Sequence, residues 1–407
     1  MVDGIYLHVY IERDIKKRFH KIFSSYNLIA LVGARQAGKT TFLKQQMKRM
    51  SSSYVLFDDP DARKLFEADI KKFELQYAEG RELMVLDEIQ YCEDAGIKLK
   101  YLVDMDRKLW ITSSSEILME KDILSYLVGR VSIVKLYPFT LSEFLRARGQ
   151  KAVEADMLAR NIWEHMTYGG YPKVVLTKDP EMKRTILSDL YVTMLLKDVA
   201  RTFSIEDINA LESLAKYLAV TNGALISYEH VSKALGISFP TLKKYLNAME
   251  KSYLITMVTP FFKNKSKEIS KQPKVYFMDT GLRNVIADRF ESEPDGLLFE
   301  NYVLSEMIKS GLKPKYWRTK TKAEVDLIVE KNDMIIPIEV KLRSEPNKIE
   351  RSLRSFIDSY KPKKAIVVTY KGKTGEMRVG SCKVVFTDVP GLLRILGSGS
   401  PTLSNLV

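Results

Sequence analysis

The sequence predicts an α/β protein built from several domains, and three observations carry that expectation. The chain has 407 residues, more than a single hydrophobic core comfortably serves. Up to about Leu145, short β-rich runs alternate with helix-like stretches, the order that builds a largely parallel sheet flanked by helices. After a helical middle, mixed α/β texture returns between about Glu268 and Asp388.

Composition narrows the class. With 45% hydrophobic and 28% charged residues the chain has the make-up of an ordinary soluble globular protein. No apolar run reaches the roughly 18 residues needed to span a bilayer, and the N-terminal stretch lacks the three parts of a signal peptide. Two cysteines, Cys92 and Cys382, stand far apart, which excludes a disulfide framework and a cysteine zinc site and fits a reducing cytoplasm. The formal net charge of +13 attracts polyanions. Nucleic acid, anionic lipid and nucleotide all satisfy it.

The elements follow in order. Strands are expected at Leu28–Val32, Tyr54–Phe57, Leu83–Leu86, Leu109–Thr112 and Val131–Leu136. A helical stretch from about Arg146 to Phe203 is broken by the turn Gly169-Gly170-Tyr171-Pro172, and Ser204 to Phe262 reads as short helices followed by a small β element. Further strands are expected at Val275–Met278, Glu324–Glu330, Ile335–Lys341 and Ala365–Thr369, and the tail from Leu396 is Gly/Ser-rich, a flexible composition. Domain limits are therefore expected at 1–145, 146–203, 204–267 and 268–395, with a tail at 396–407.

The sharpest motif is LIALVGARQAGKTTFL: a strand, then G-x-x-x-x-G-K-T, then a helix. Gly33 and Gly38 permit backbone angles that turn successive N–H groups of Ala34, Arg35, Gln36, Ala37, Lys39, Thr40 and Thr41 towards phosphate oxygens. Lys39 reaches the β- and γ-phosphates of a nucleotide such as ATP, Thr40 offers its hydroxyl to Mg²⁺, and the helix adds its positive end. Some fifty residues on, the strand in ELMVLDEIQ ends in two acids. Asp87 is placed to hold Mg²⁺ through water and Glu88 to polarise the attacking water; the bland alternative is that both cap a helix. In KLWITSSSE, Thr112 or Ser113 is a candidate sensor of the γ-phosphate, although strand-end hydroxyls are common without function. In LVGRV, Arg130 suits either an arginine finger aimed at a neighbouring subunit's nucleotide, which implies a homo-oligomer, or a surface ion pair.

Those motifs, together with YPFTLSEFL and YGGYPKVV, make the chain resemble the archaeal-type AAA+ ATPase family over nearly its whole length. Members typically carry a C-terminal nuclease-like domain. The resemblance implies a P-loop AAA+ ATPase core at 1–145, a helical lid at 146–203 and an appended DNA-directed module. It fixes neither substrate nor pathway.

The segment ISYEHVSKALGISFPTLKKYLNAMEKSYLITMV has the pattern of a winged helix-turn-helix. Val231, Ala234 and Leu235 form the stripe of one helix, Gly236 the turn, and Leu242, Tyr245, Leu246 and Met249 the stripe of the next. If the second helix enters a major groove, Thr241, Lys243, Lys244 and Asn247 face the DNA, and Lys263, Lys265, Lys267 and Lys271 follow as phosphate contacts. Winged helices also dock proteins, so that reading stays open.

The hairpin in KYWRTKTKAEVDLIVEKNDMIIPIEVKLRS carries a second chemistry. Period-two alternation puts Glu339 and Lys341 on one sheet face, with Asp326 on the partner strand and Glu300 on the helix upstream. Converging carboxylates from Glu300, Asp326 and Glu339 suit a hard cation such as Mg²⁺ or Mn²⁺, and Lys341 suits the orientation of a nucleophile or the offset of developing charge. This D…E-x-K arrangement resembles the restriction-endonuclease-like nuclease superfamily, with Val325 where a proline often precedes the aspartate. The resemblance implies metal-dependent DNA cleavage; a retained fold that only grips DNA is the alternative.

His8, His20, His165 and His230 lie at no metal-ligand spacing, and Trp110, Trp163 and Trp317 sit in apolar runs as core or edge residues. Three functions remain in play: a cytoplasmic DNA-directed ATPase with a nuclease domain, an ATP-dependent switch or scaffold whose C-terminal fold only binds, and a nucleotide-regulated winged-helix transcription factor.

Overall fold

The computed structural model describes residues 10–113, 123–150, 154–262, 268, 271–290, 293 and 295–397. It divides into two compact units, one ending at Phe139 and one beginning at Thr140.

The first unit holds α1 (Lys16–Phe23), β1 (Leu28–Val32), α2 (Lys39–Gln46), β2 (Ser52–Leu56), α3 (Pro60–Ala68), α4 (Ile70–Tyr77), β3 (Leu83–Asp87), α5 (Ala95–Asp104), β4 (Leu109–Ser113) and β5 (Val131–Lys135). All five expected strands form within two residues of their expected limits. They make one parallel sheet in the order β2-β3-β4-β1-β5. The three inner strands are buried along their whole length, while β2 and β5 are half-exposed edges. Burial on both faces is why LIALV and LMVLD read as unbroken apolar runs instead of alternating ones. Trp110 is fully buried on β4, packed edge-on against Phe19 and Phe23 of α1 at 4.9 and 5.1 Å.

The second unit opens with α6 (Leu141–Ala147), started by a capping box in which Thr140 and Glu143 exchange side-chain and backbone bonds. The limit expected at 145/146 therefore falls inside a helix. Then come α7 (Ala155–Tyr168), α8 (Pro172–Leu176), α9 (Pro180–Thr193) with a π-helical continuation to Arg201, α10 (Ile208–Val220), α11 (Tyr228–Leu235) and α12 (Phe239–Lys251). Strand β6 (Ile255–Val258) pairs antiparallel with β7 (Lys274–Phe277). The limit expected at 267/268 falls between these paired strands. In α11, Gly236 closes the helix in the left-handed region at φ 67°. Val231, Leu242, Tyr245, Leu246 and Met249 are buried as expected, whereas Ala234 is exposed and Leu235 only half-buried.

The remaining elements are α13 (Thr280–Ala287), α14 (Gly296–Lys309), β8 (Lys315–Arg318), β9 (Glu324–Lys331), β10 (Met334–Lys341), α15 (Arg351–Tyr360), β11 (Lys364–Thr369), β12 (Gly375–Val379), β13 (Cys382–Thr387) and α16 (Val389–Ile395). Six strands form a mixed sheet in the order β12-β13-β11-β10-β9-β8. Asn332 and Asp333 turn the β9–β10 hairpin with φ of 48° and 60°, positive angles that these two residue types tolerate best after glycine. Pro337 sits in β10 beyond the stretch Ile338–Lys341 that pairs with β11, so its missing N–H breaks no bond of that ladder.

The segments expected to be three separate domains are joined by buried polar contacts. Gly170 N–H donates to Asp279 at 2.8 Å, Asn284 to the Thr167 carbonyl at 2.9 Å, and Ser252 to the Asp198 carbonyl at 2.8 Å. His165 and Tyr302 share a hydrogen bond at 2.9 Å. A side chain at Gly169 would collide with the Asp279 carboxylate, its Cβ falling 2.0 Å from Oδ1. The Gly-Gly-Tyr-Pro turn is thus a close-packed junction as well as a bend.

Candidate functional site

At the carboxyl edge of the first unit's sheet, β1 runs into the phosphate loop and α2 begins at Lys39, with Gly38 left-handed at φ 97°. Gly33 is required by space: a Cβ there would lie 2.0 Å from the Leu136 carbonyl oxygen. Lys39 is buried, and its ammonium donates inside the loop to the Gly33 carbonyl at 2.8 Å and the Ala34 carbonyl at 3.1 Å. Thr40 Oγ1 donates to Asp87 Oδ2 at 2.7 Å. The two groups expected to share Mg²⁺ are therefore adjacent, although their strands are separated in the sheet by β4.

Strand β4 explains the adjacency. Its Thr112 hydroxyl donates to Asp87 Oδ1 and accepts from Glu88 N–H at 2.9 Å. Thr112 thus touches the Asp87 carboxylate and the Glu88 backbone at the end of β3. Ser113, the next residue, is fully buried. Glu88 sits in the left-handed region at φ 59° and accepts from Gln90 at 2.5 Å. A non-glycine residue held at positive φ is unusual and is often found where a side chain is aimed at chemistry.

Two residues that the sequence reading passed over complete this site. Tyr54 donates its hydroxyl to Asp87, and burial together with that carboxylate raises its pKa above the ordinary value. Arg13 is buried and ties the loop down, donating to the Ala37 carbonyl at 2.8 Å and the Tyr137 carbonyl at 2.6 Å. Neither stands in a recognisable motif.

Arg130 lies elsewhere. In the parallel register Val131 is level with Leu28, while Lys135 is level with Val32 beside the loop. Arg130 is therefore at the opposite end of the sheet, roughly 15 Å from its own phosphate loop. It is partly exposed and ion-paired with Asp104 at 3.1 Å.

In the second unit, Lys243, Lys244 and Asn247 are exposed on α12, and Thr241 is half-buried beside the Ser238 cap. The two lysines lie along the protein surface: Lys243 over the Phe239 ring at 4.5 Å, and Lys244 donating to the Ser204 carbonyl at 2.9 Å. Of the basic run after the ribbon strand, Lys263, Lys265 and Lys267 lie outside the described residues.

The hairpin brings Asp326, Glu339 and Lys341 together. The Lys341 ammonium is 3.1 Å from Glu339 Oε1, and Val340 N–H donates to Asp326 Oδ2 at 2.8 Å. Burial, then the Glu300 and Glu339 carboxylates, push the Asp326 pKa up to about 8. Burial also raises Glu339 against the pull of Lys341. Glu339 Oε2 is buried with no hydrogen-bond partner, an arrangement that normally marks a missing cation or donor.

Glu300 departs from expectation. Its Oε1 accepts from Tyr276 and from Lys274 at 3.2 Å, and Lys274 is also 2.5 Å from Glu324 Oε1. Lys274, 3% exposed, supplies the positive charge at this acid. Burial alone would lower its pKa, but Glu300 and Glu324 outweigh that and hold it above the ordinary value. Among the described residues no three His, Cys, Asp or Glu side chains stand together closely enough to hold a metal ion. Glu300 nevertheless stays close enough to raise both Asp326 and Glu339.

A cleft of about 530 Å³ opens beside Glu339, which lines it together with Lys341, Arg343, Lys348, Lys371 and Lys373 among others. Lysines and arginine outnumber its acids, Glu339, Glu345 and Glu350. None of these cations beyond Lys341 was marked by a motif; only their spatial convergence distinguishes them.

Three family models match the chain in succession: an AAA domain over residues 25–145, a domain of unknown function, DUF8612, over 159–293, and a second, DUF4143, over 295–387. An uncharacterised protein of Haemophilus influenzae is 26% identical over 354 residues, which span 81% of this chain and 86% of that one. An uncharacterised protein of Mycobacterium tuberculosis is 28% identical over 358 residues, 85% of this chain and 77% of that one. A Walker-type ATPase of Pyrococcus abyssi superposes with a TM-score of 0.46 at 14% identity, covering 69% of this chain and 97% of that one. No helix among the described residues is long and apolar enough to cross a membrane. The matched segment, its parallel sheet and its phosphate loop agree, and the N-terminal unit is a P-loop ATPase domain of the AAA+ type.

Proposed function

We propose that the protein is a DNA-directed ATPase whose second unit hydrolyses phosphodiester bonds with a divalent cation. In the first unit Lys39 would hold the β- and γ-phosphates of ATP, Thr40 and Asp87 the Mg²⁺, and Glu88 the attacking water. Arg13 and Tyr54 keep the loop and Asp87 in place. In the second unit Asp326 and Glu339 would hold the Mg²⁺ or Mn²⁺, which supplies Lewis acidity and an activated water. Lys341 is positioned to offset charge developing on the phosphate. Helix α12, with Lys243, Lys244, Thr241 and Asn247, serves as an accessory contact to duplex DNA.

One observation carries the reading: a cleft lined mostly by lysine and arginine is also lined by Glu339, whose Oε2 is buried without a hydrogen-bond partner. A second reading, a unit that grips DNA without cutting it, draws on the Lys274 ammonium that already occupies Glu300. Relaxation of supercoiled plasmid separates them. Cutting that needs Mg²⁺ or Mn²⁺ and disappears in Glu339→Gln supports the nuclease. Equal DNA binding by wild type and Glu339→Gln, with cutting by neither, supports the grip. ATPase assignment is tested separately: Lys39→Ala should lose hydrolysis, while Glu88→Gln should keep ATP binding and turn over about a hundred-fold more slowly.

A further inference from the structure

A second cleft, of about 370 Å³, adjoins the first and shares Arg343 and Lys371 with it. Its other lining includes Trp163 and Arg160 from α7 and Tyr370 at the end of β11. The two clefts are thus neighbours: the first is mostly basic, and the second sets Trp163 and Tyr370 among Arg160, Asp156 and Glu293.

The aromatic pair is built, not incidental. The Trp163 indole N–H is buried with no acceptor, an unmet donor that costs stability unless a ligand or water answers it. Tyr370 is fixed at both ends, its hydroxyl donating to the Ala159 carbonyl at 2.9 Å and its ring packed 5.7 Å from that of Phe299. The Lys371 ammonium sits 5.4 Å from the Tyr370 ring centre. Ser344, which lines the first cleft, and Thr369 at the end of β11 also have buried hydroxyls without partners. Gly372 lets the backbone close on them, since a Cβ there would fall 2.6 Å from Thr369 Oγ1.

We propose that this second cleft receives one unpaired base of a nucleic acid whose phosphates lie in the basic cleft. The inference rests on the nucleic-acid reading above and narrows its substrate to strands with an accessible base: single strands, flaps or bulges. A planar ring beside a half-buried indole and a tyrosine gains stacking that any base can supply. A base carbonyl supplies the acceptor that Trp163 N–H lacks. Arg343 and Lys371, common to both clefts, meet the phosphate joining that base to its neighbour. A base inside an intact duplex cannot enter, because its faces are covered by the stack.

The test is equilibrium binding of fluorescein-labelled DNA to the full chain without divalent cation. The probes are a short oligothymidylate, a duplex, and that duplex with one bulged thymidine. The expected result is tighter binding of the single strand and the bulge than of the duplex. Tyr370→Leu should cut that preference about ten-fold, and Trp163→Phe, which keeps a ring but loses the N–H, by a smaller factor. Both should leave duplex affinity unchanged and melt as wild type does. Lys348→Ala with Lys373→Ala, confined to the basic cleft, should weaken all three probes together. Aromatic variants that bind every probe as wild type does would overturn the base pocket. If the paired lysine variant is equally silent, the nucleic-acid reading falls with it. Displacement of the oligonucleotide by free thymidine monophosphate at comparable concentration would make this a mononucleotide site and also overturn the proposal.

Discussion

Replacing Lys274 with methionine should destabilise the second unit more than any other single change to the carboxylate network. The ammonium is 3% exposed and lies 2.5 Å from Glu324 and 3.2 Å from Glu300. Methionine matches its length, so the packing volume is largely kept and the charge is what disappears. Glu300 would then face Glu324 and Asp326 without that ammonium, while Arg318 stays 3.0 Å from Glu324. Breaking one partner out of a buried ion pair costs about 3–5 kcal/mol, a large part of the roughly 5–15 kcal/mol that holds a domain folded. For a unit of this size that corresponds to a fall in Tm of roughly 6–20 °C. Urea unfolding of Lys274→Met, with wild type as reference, measures it. The double variant with Glu324→Gln should recover part of the loss, because one of the stranded charges goes too. Mg²⁺ or Mn²⁺ should also raise the Tm of Lys274→Met more than that of wild type. A loss under about 1 kcal/mol, with no metal dependence, would show that the ammonium is not what holds these acids together.

Further outcomes follow from the same geometry. Asp326 has a folded pKa pushed up to about 8 from an ordinary 3.8, so the folded state binds a proton that the unfolded chain releases. Its contribution to stability is present at pH 4 and is lost as pH rises to 8, on the order of a few kcal/mol; Asp326→Asn should flatten that part of the curve. Because a cation must displace the same proton, Mn²⁺ titrated by calorimetry should bind more tightly at pH 8 than at pH 6. Arg130 lies at the far end of the sheet from its own loop, so a role in hydrolysis would require a neighbouring subunit's nucleotide. If it has that role, specific ATPase activity rises with protein concentration, and Arg130→Ala subunits inhibit wild type on mixing. Concentration-independent activity would leave Arg130 as the partner of Asp104 alone.

Much of this architecture was legible because local sequence and tertiary role agree. The five strands of the first unit are short apolar runs that become fully buried, and the loop after β1 needs glycine at Gly33 to clear Leu136. The Asn332-Asp333 turn and the flanking alternation likewise located the hairpin. What stayed hidden depends on long-range pairing. Nothing local marks Lys274 as the counter-charge of Glu300, because the two residues meet only through the packing of β7 on α14. The strands β12 and β13 were missed, although CKVVFT carries a β-rich signal. The sequence marks Trp163 only as a core or edge residue; that it borders a cleft depends on β11 ending beside α7, where Tyr370 bonds the Ala159 carbonyl. Glu300 lies on the expected helix, but its bonds to Lys274 and Tyr276 carry no local sequence signal.

The position of Lys274 also bears on how such a chain can be inherited. The two matched domains of unknown function meet at residue 294, yet the charge network straddles that junction. Lys274 and Tyr276 come from one side; Glu300, Glu324 and Asp326 come from the other. A recombination at that point would give one descendant Glu300 and Glu324 without Lys274, and the other a buried Lys274 without those glutamates. Each half is therefore a poor transplant without its companion, and the two are expected to travel through genomes as a pair, with lysine and glutamates changing together or not at all.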